Sequence, residues 1–177
     1  MNFMEIKFPD VANGPGIRVS LFVAGCHHHC KGCFNPETWD FAAGKPYGPA
    51  ETQKIKDILS NKFLSGLSLL GGEPLEPCHA AEVAQVVREI KEYRPDIDVW
   101  CWTGYTFEAL MKAQNPAQME LLQTLDVLVD GQFVEEKKNL RLRFRGSENQ
   151  RILDCPKSLE SQSAVFYDLP DPVKREG

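Results

Sequence analysis

Four short apolar runs, each followed by glycine, constrain this chain more than any other feature. They are Ile17–Val23 ahead of Gly25, Gly66–Leu70 ahead of Gly71-Gly72, Asp98–Trp102 ahead of Gly104 and Asp126–Asp130 ahead of Gly131. Runs of this length and composition read as buried strands closed by turns. Helical periodicity separates them. Thr52–Asn61 carries Ile55, Ile58 and Leu59 on one face; Ala80–Tyr93 carries Val83, Val86, Val87 and Ile90 and stops before Pro95; Thr106–Lys112 and Ala117–Thr124 flank Pro116. Strands alternating with helices at intervals of roughly 30 residues predict βαβ units, an α/β class and a mainly parallel sheet. In such a sheet the loops after the strands' carboxyl ends share one side, so the segments at Cys26, Gly71-Gly72, Gly104 and Gly131 are expected to face one another. Residues 34–50, rich in Gly and Pro, read as a loop, and Arg141–Arg145, alternating charged and apolar, as a half-exposed strand. Arg151–Asp154 reads as a last strand. The chain has 177 residues, too few for an eight-unit barrel of about 250. One domain over residues 1–177 is expected, with an irregular tail from 156 that contains Pro170, Pro172 and Lys174-Arg175-Glu176.

Lys and Arg total 20 against 25 Asp and Glu, a net charge of −5. That balance argues against a nucleic-acid partner, which calls for a basic face. The start, Met1-Asn2-Phe3-Met4-Glu5-Ile6-Lys7, lacks the basic flank and apolar stretch of a secretory signal. No run of about 18 apolar residues marks a membrane span, so a cytoplasmic protein is expected.

Three of the six cysteines, Cys26, Cys30 and Cys33, fall within eight residues, in Cys26-His27-His28-His29-Cys30-Lys31-Gly32-Cys33. Thiolates are soft ligands suited to iron–sulfur clusters and to zinc. Structural zinc and a fully ligated cubane both ask for four protein ligands. Three cysteines leave a position open for chemistry. A zinc site with one of His27, His28 or His29 as fourth ligand is the alternative. Cys78, Cys101 and Cys155 form no second cluster motif and read as small buried hydrophobes.

The C-x3-C-x2-C loop resembles the cluster motif of the radical S-adenosylmethionine superfamily. Further blocks extend the likeness: Asn13-Gly14-Pro15-Gly16-Ile17-Arg18, Gly32-Cys33-Phe34-Asn35-Pro36-Glu37-Thr38-Trp39, Leu70-Gly71-Gly72-Glu73-Pro74-Leu75, Trp102-Thr103-Gly104-Tyr105, Asp126–Phe133 and Arg145-Gly146-Ser147-Glu148-Asn149-Gln150-Arg151. Over residues 13 to 151 or so they resemble the activating proteins of anaerobic (class III) ribonucleoside-triphosphate reductases. That resemblance implies an incomplete (partial) β/α barrel. It implies a [4Fe–4S] cluster held by Cys26, Cys30 and Cys33, with S-adenosylmethionine on the open iron. It implies an oxidoreductase that cleaves S-adenosylmethionine reductively and leaves a glycyl radical on the partner reductase, fed by a low-potential donor such as flavodoxin or ferredoxin. Gly71, Gly72, Glu73 and Pro74 are then expected to hold the methionine ammonium. Thr103 is expected near ribose or methionine carboxylate, and Asp130 near ligand or incoming peptide. The superfamily commonly has an aromatic residue before the third cysteine; here Gly32 stands there, so adenine contact falls to the backbone at Gly32 and Phe34.

Lys137, Lys138, Arg141, Arg143, Arg145 and Arg151 face one acid, Glu148, between 137 and 151. They read either as a solvated face or as a docking surface for the partner. Two other readings remain at this level: an activator of another glycyl radical enzyme, such as formate acetyltransferase, and a non-catalytic zinc-binding interaction module.

Overall fold

A computed structural model of the chain describes residues 1–169. Its strands are β1 (Asn2–Asp10), β2 (Arg18–Val23), β3 (Lys45–Pro46), β4 (Gly66–Gly71), β5 (Asp98–Trp102), β6 (Val127–Asp130) and β7 (Arg151–Asp154). Its helices are α1 (Pro49–Leu59), α2 (Ala80–Tyr93), α3 (Phe107–Ala113), α4 (Pro116–Leu122) and α5 (Cys155–Ser161). The strands form one open α/β sheet in the order β3-β1-β2-β4-β5-β6-β7. Its centre is parallel: Leu21 pairs with Leu69, Leu69 with Cys101 and Cys101 with Leu128. Its flanks are antiparallel, β1 against β2 and β3 on one side and β7 against β6 on the other. The sheet is therefore mixed and not closed.

Period-two alternation separates its faces. Val19, Leu21, Val23, Leu67, Leu69, Val99, Cys101, Leu128 and Leu153 point to the main core, where they meet Ile55, Leu59, Val83, Val87, Ile90, Leu110 and Leu121 of α1 to α4. Each fully buried Val, Leu or Ile contributes about 1.5–3 kcal/mol by leaving water. The caps explain where the helices begin. Asn115 Oδ1 accepts from the amides of Ala117 and Gln118 at 3.1 and 3.2 Å, with Pro116 opening α4, and Thr106 Oγ1 accepts from Ala109 at 3.2 Å.

Among the described residues, no helix packs on the opposite face. Trp100, Val127, Val129 and Ile152 form a smaller cluster there with Trp102 and Phe144. Its lower end is closed by the fully buried Arg18, whose guanidinium reaches Ser68 Oγ at 2.7 Å, Leu67 O at 2.9 Å and Asp98 Oδ1 at 2.6 Å. Burial pulls the Arg18 pKa down and Asp98 opposes it. This gives Arg18, which the sequence offered only as part of a motif block, a physical task.

The structure corrects several local expectations. β1 was not foreseen. Within the loop expected over 34–50 lie the two-residue β3, a 3₁₀ turn at Pro36–Thr38 and the start of α1. Arg141–Arg145 is not a strand. It belongs to a loop closed by the Asn139 amide donating to Gly146 O at 3.1 Å, so its backbone bonds go to its own turn and to side chains. The tail expected to be irregular from 156 continues as α5 to Ser161, capped by Asp154 Oδ1 on the Lys157 amide at 3.1 Å. The expectations for Pro170, Pro172 and Lys174-Arg175-Glu176 lie outside the described residues. No helix among the described residues is long and apolar enough to cross a membrane.

Candidate functional site

The loops after β2, β4, β5 and β6 meet on the helix-free face around a cavity of about 520 Å³. Cys26, Cys30, Cys33 and Phe34 line it from the first loop, Gly71, Gly72 and Glu73 from the second, Thr103 and Gly104 from the third, and Gly131 from the fourth. Close contact locks the first two loops together. The Glu73 amide donates to Gly25 O and the Gly72 amide to Val23 O, both at 2.8 Å. A Cβ on Gly72 would stand 2.4 Å from Gly25 O, so only glycine fits.

Two buried carboxylates fix the cysteine loop. Glu76, 2 % exposed, accepts from the His27 amide at 2.8 Å and faces His27 Nδ1 at 3.0 Å. Glu73, 1 % exposed, accepts from the Leu75 amide at 2.9 Å and the Gly104 amide at 2.7 Å. Glu73 Oε2 also lies 3.1 Å from His28 Nε2. Burial pulls the His28 pKa down, but the Glu73 carboxylate outweighs it and the net direction is up. His79 Nε2 lies 2.8 Å from Glu73 O and steadies the same turn.

The three histidines are thus engaged elsewhere: His27 with Glu76, His28 with Glu73 and with Gln132 at 3.0 Å, and His29 stacked on Trp39 at 4.6 Å. Among the described residues, no three His, Cys, Asp or Glu side chains are arranged to hold a single metal ion. A cubane makes a different demand, because each thiolate bonds its own iron and the sulfurs stand apart. Cys26, Cys30 and Cys33 on one cavity wall suit that demand. Burial pushes the Cys26 thiol up to about 11 and raises Cys30 as well. A cluster held there would supply the positive charge that offsets this burial and favours the thiolates.

Three expected ligand residues are placed otherwise. Asp130 is fully buried beneath the cavity: Oδ2 accepts from the Phe107 amide at 2.8 Å at the start of α3, and Arg151 Nε donates to Oδ1 at 2.9 Å. It is an internal capping and pairing residue, not a cavity-wall residue. Gly32 does not line the cavity either. It takes a left-handed turn, φ +70°, and a Cβ there would lie 2.8 Å from Glu135 Oε1. Pro74 is buried and is not on the wall. Thr103 does line it, with Oγ1 accepting from the Tyr105 amide at 3.1 Å.

The sequence reading missed the opposite wall. Phe133, Leu140, Leu142, Phe144 and Arg145 line the cavity from the segment joining β6 to β7. The anchor is Gln150: Oε1 accepts from the Gly146 and Ser147 amides at 2.9 and 3.1 Å, and Nε2 donates to Gly131 O at 3.0 Å. Trp102 Nε1 donates to Phe144 O at 2.8 Å. The Arg145–Arg151 block was the available signal, but it marked the family without revealing a wall.

An open α/β sheet with three thiols on one cavity at its strand ends defines an iron–sulfur class of protein, and a family model described as "4Fe-4S single cluster domain" matches residues 12–153. Proteins named anaerobic ribonucleoside-triphosphate reductase-activating protein are similar over 86 % of the chain. They include those of Vibrio cholerae (44 % identical, 97 % of its length), Escherichia coli K12 (41 %, 97 %) and Enterobacteria phage T4 (39 %, 93 %). The chain belongs to this family of activating proteins.

Proposed function

We propose that this protein activates an anaerobic ribonucleoside-triphosphate reductase by producing a glycyl radical on it, using a [4Fe–4S] cluster and S-adenosylmethionine. One observation carries the reading: the cavity is lined by three thiols and no fourth, the ligand count that leaves one iron of a cubane free for a substrate. When bound, the cluster supplies the electron that cleaves the sulfonium of S-adenosylmethionine, and the radical so formed takes hydrogen from a glycine of the reductase.

The chain's own residues bind, orient and enclose. Cys26, Cys30 and Cys33 ligate iron. Gly71 and Gly72 let the ligand approach the backbone closely. Glu73, which already accepts from the Leu75 and Gly104 amides and faces His28, accepts from the methionine ammonium through a remaining lone pair. The Thr103 hydroxyl donates to the ribose or the methionine carboxylate. Phe34 and Phe133, with ring centroids 5.0 Å apart, offer an apolar wall to adenine. Gly32, Pro74 and Asp130 shape the loops that present these groups. With helices on one face only, the sheet acts as a partial barrel whose open side admits a segment of the partner. A low-potential flavodoxin or ferredoxin in the cytoplasm serves as electron donor. Engagement of all three histidines elsewhere disfavours the zinc-module reading, and the names of the relatives favour the reductase over formate acetyltransferase as partner.

The test is anaerobic iron–sulfide reconstitution followed by dithionite and S-adenosylmethionine. Wild type takes up about four irons per chain and forms 5′-deoxyadenosine and methionine; Cys30→Ala does neither. A loaded wild-type cluster that forms no 5′-deoxyadenosine, or an intact cluster in Cys30→Ala, would overturn the reading.

A further inference from the structure

The six cations between 137 and 151 do not act as one patch. Arg151 is spent on Asp130 and Glu108. Arg145 lines the cavity and donates to Gln150 O. Arg143 lies over the Phe144 ring, 5.2 Å from its centroid. Lys137, Lys138 and Arg141 remain exposed, and among the described residues none of them is in an ion pair. The neighbouring acids Glu135 and Glu136 share the single cation Lys31 at 3.0 and 3.7 Å, and Glu148 accepts from Asn139 Nδ2 at 3.0 Å. Lys31, Lys137, Lys138 and Arg141 thus outnumber Glu135, Glu136 and Glu148 by one, a local positive excess on a chain of net charge −5.

Leu140 sits between these cations and is 82 % exposed, while Phe34, across the cavity mouth, is 55 % exposed with Lys138 Nζ 5.1 Å from its ring centroid. A single exposed leucine means little. This one tops a loop held shut at its base by Asn139 N–Gly146 O and braced by Arg141 N–Asn139 Oδ1 at 3.0 Å. A preorganised loop spends little ordering entropy on binding.

We propose that Lys137, Lys138, Leu140 and Arg141 form the docking surface for an extended peptide segment of the reductase in which an apolar side chain is flanked by Asp or Glu. Leu140 takes the apolar side chain, and the three cations take the acids. The proposal rests on the reading given under Proposed function. It assigns docking to other residues than the alternating Arg143 and Arg145, of which Arg145 lines the cavity and Arg143 lies over the Phe144 ring. Complementary charge at the rim speeds encounter and selects the partner, whereas the exposed Leu140 favours a peptide over a polyanion such as nucleic acid.

The test measures binding of the purified reductase, immobilised anaerobically, at low and high salt. The double variant Lys137→Glu/Arg141→Glu is expected to weaken Kd about tenfold at low salt and to converge on wild type at high salt, because screening removes rim electrostatics. Leu140→Ser is expected to weaken binding at both. The double variant keeps its melting temperature and its reductase-independent 5′-deoxyadenosine formation. Variants that bind the reductase like wild type overturn the proposal, as does a double variant that loses affinity for duplex DNA and not for the reductase. Wild type that forms 5′-deoxyadenosine but neither binds nor activates the reductase would instead remove the partner reading, and the proposal with it.

Discussion

Replacing Glu76 with alanine tests whether the cysteine loop is held by carboxylates from the glycine loop. Glu76 touches no expected ligand, yet both of its oxygens engage His27, the residue after Cys26, through an amide at 2.8 Å and a ring nitrogen at 3.0 Å. A hydrogen bond to a charged acceptor contributes about 1.5–3 kcal/mol net. With the small cavity left behind, loss of the carboxylate is expected to cost about 2–3 kcal/mol of local stability. That raises the open fraction of the loop about 30- to 150-fold. Iron release to a chelator follows this opening when reclosing is fast. Anaerobic chelation by a ferrous-specific dye therefore speeds up by that factor in Glu76→Ala. Glu76→Gln keeps one acceptor for the His27 amide and falls between the two. Release from Glu76→Ala at the wild-type rate would refute the reasoning, since the carboxylate would then not restrain the cysteine loop.

Gly72→Ala drives a Cβ to within 2.4 Å of Gly25 O, and overpacking of this kind costs about 1–3 kcal/mol; iron uptake on reconstitution should fall, read as iron per chain. Asp10 supplies a pH test. Burial raises its pKa, but hydrogen bonds from Ser20, Asn13 and Ala12 outweigh it and hold the carboxyl below 3.8. A depressed carboxyl adds stability above its unfolded value and loses it as pH falls through the folded one. Asp10→Ala should therefore be less stable than wild type by urea unfolding at pH 7, with the gap narrowing below pH 3.8. Brief alkylation of the metal-free protein at pH 8 should label the exposed Cys78 well ahead of Cys101 and Cys155. Burial raises Cys101 well above its ordinary value and pushes Cys155 up to about 12, and only the thiolate reacts.

Much of the architecture could be read from the chain because its central strands are short, mainly apolar, largely buried and followed by glycine. β2, β4, β5 and β6 announce themselves that way, and the parallel order follows from the helices between them. β1 escaped because burial along it is irregular: beyond Phe3 and Asp10, few positions are deeply buried. Arg141–Arg145 alternates like a strand, but alternation does not supply a partner, and the neighbour at the β6 edge is already β7. The meeting of the cysteine trio and the glycine loop at one cavity was legible because each follows the carboxyl end of a parallel strand. Asp130 was open to two readings because an aspartate at a strand end serves equally as ligand or cap, and the Phe107 amide and Arg151 that it meets come from elsewhere in the chain. The wall built on Gln150 was hidden for the same reason, since its bonds to residues 131, 146 and 147 exist only after folding.

The most direct test of the central claim is electron paramagnetic resonance on an anaerobic mixture of reconstituted protein, a strong reductant, S-adenosylmethionine and the cognate anaerobic ribonucleoside-triphosphate reductase. A glycyl doublet on the reductase with wild type, and none with Cys30→Ala, is the predicted result. A reductase that stays silent while 5′-deoxyadenosine accumulates would contradict the assignment of partner and reaction.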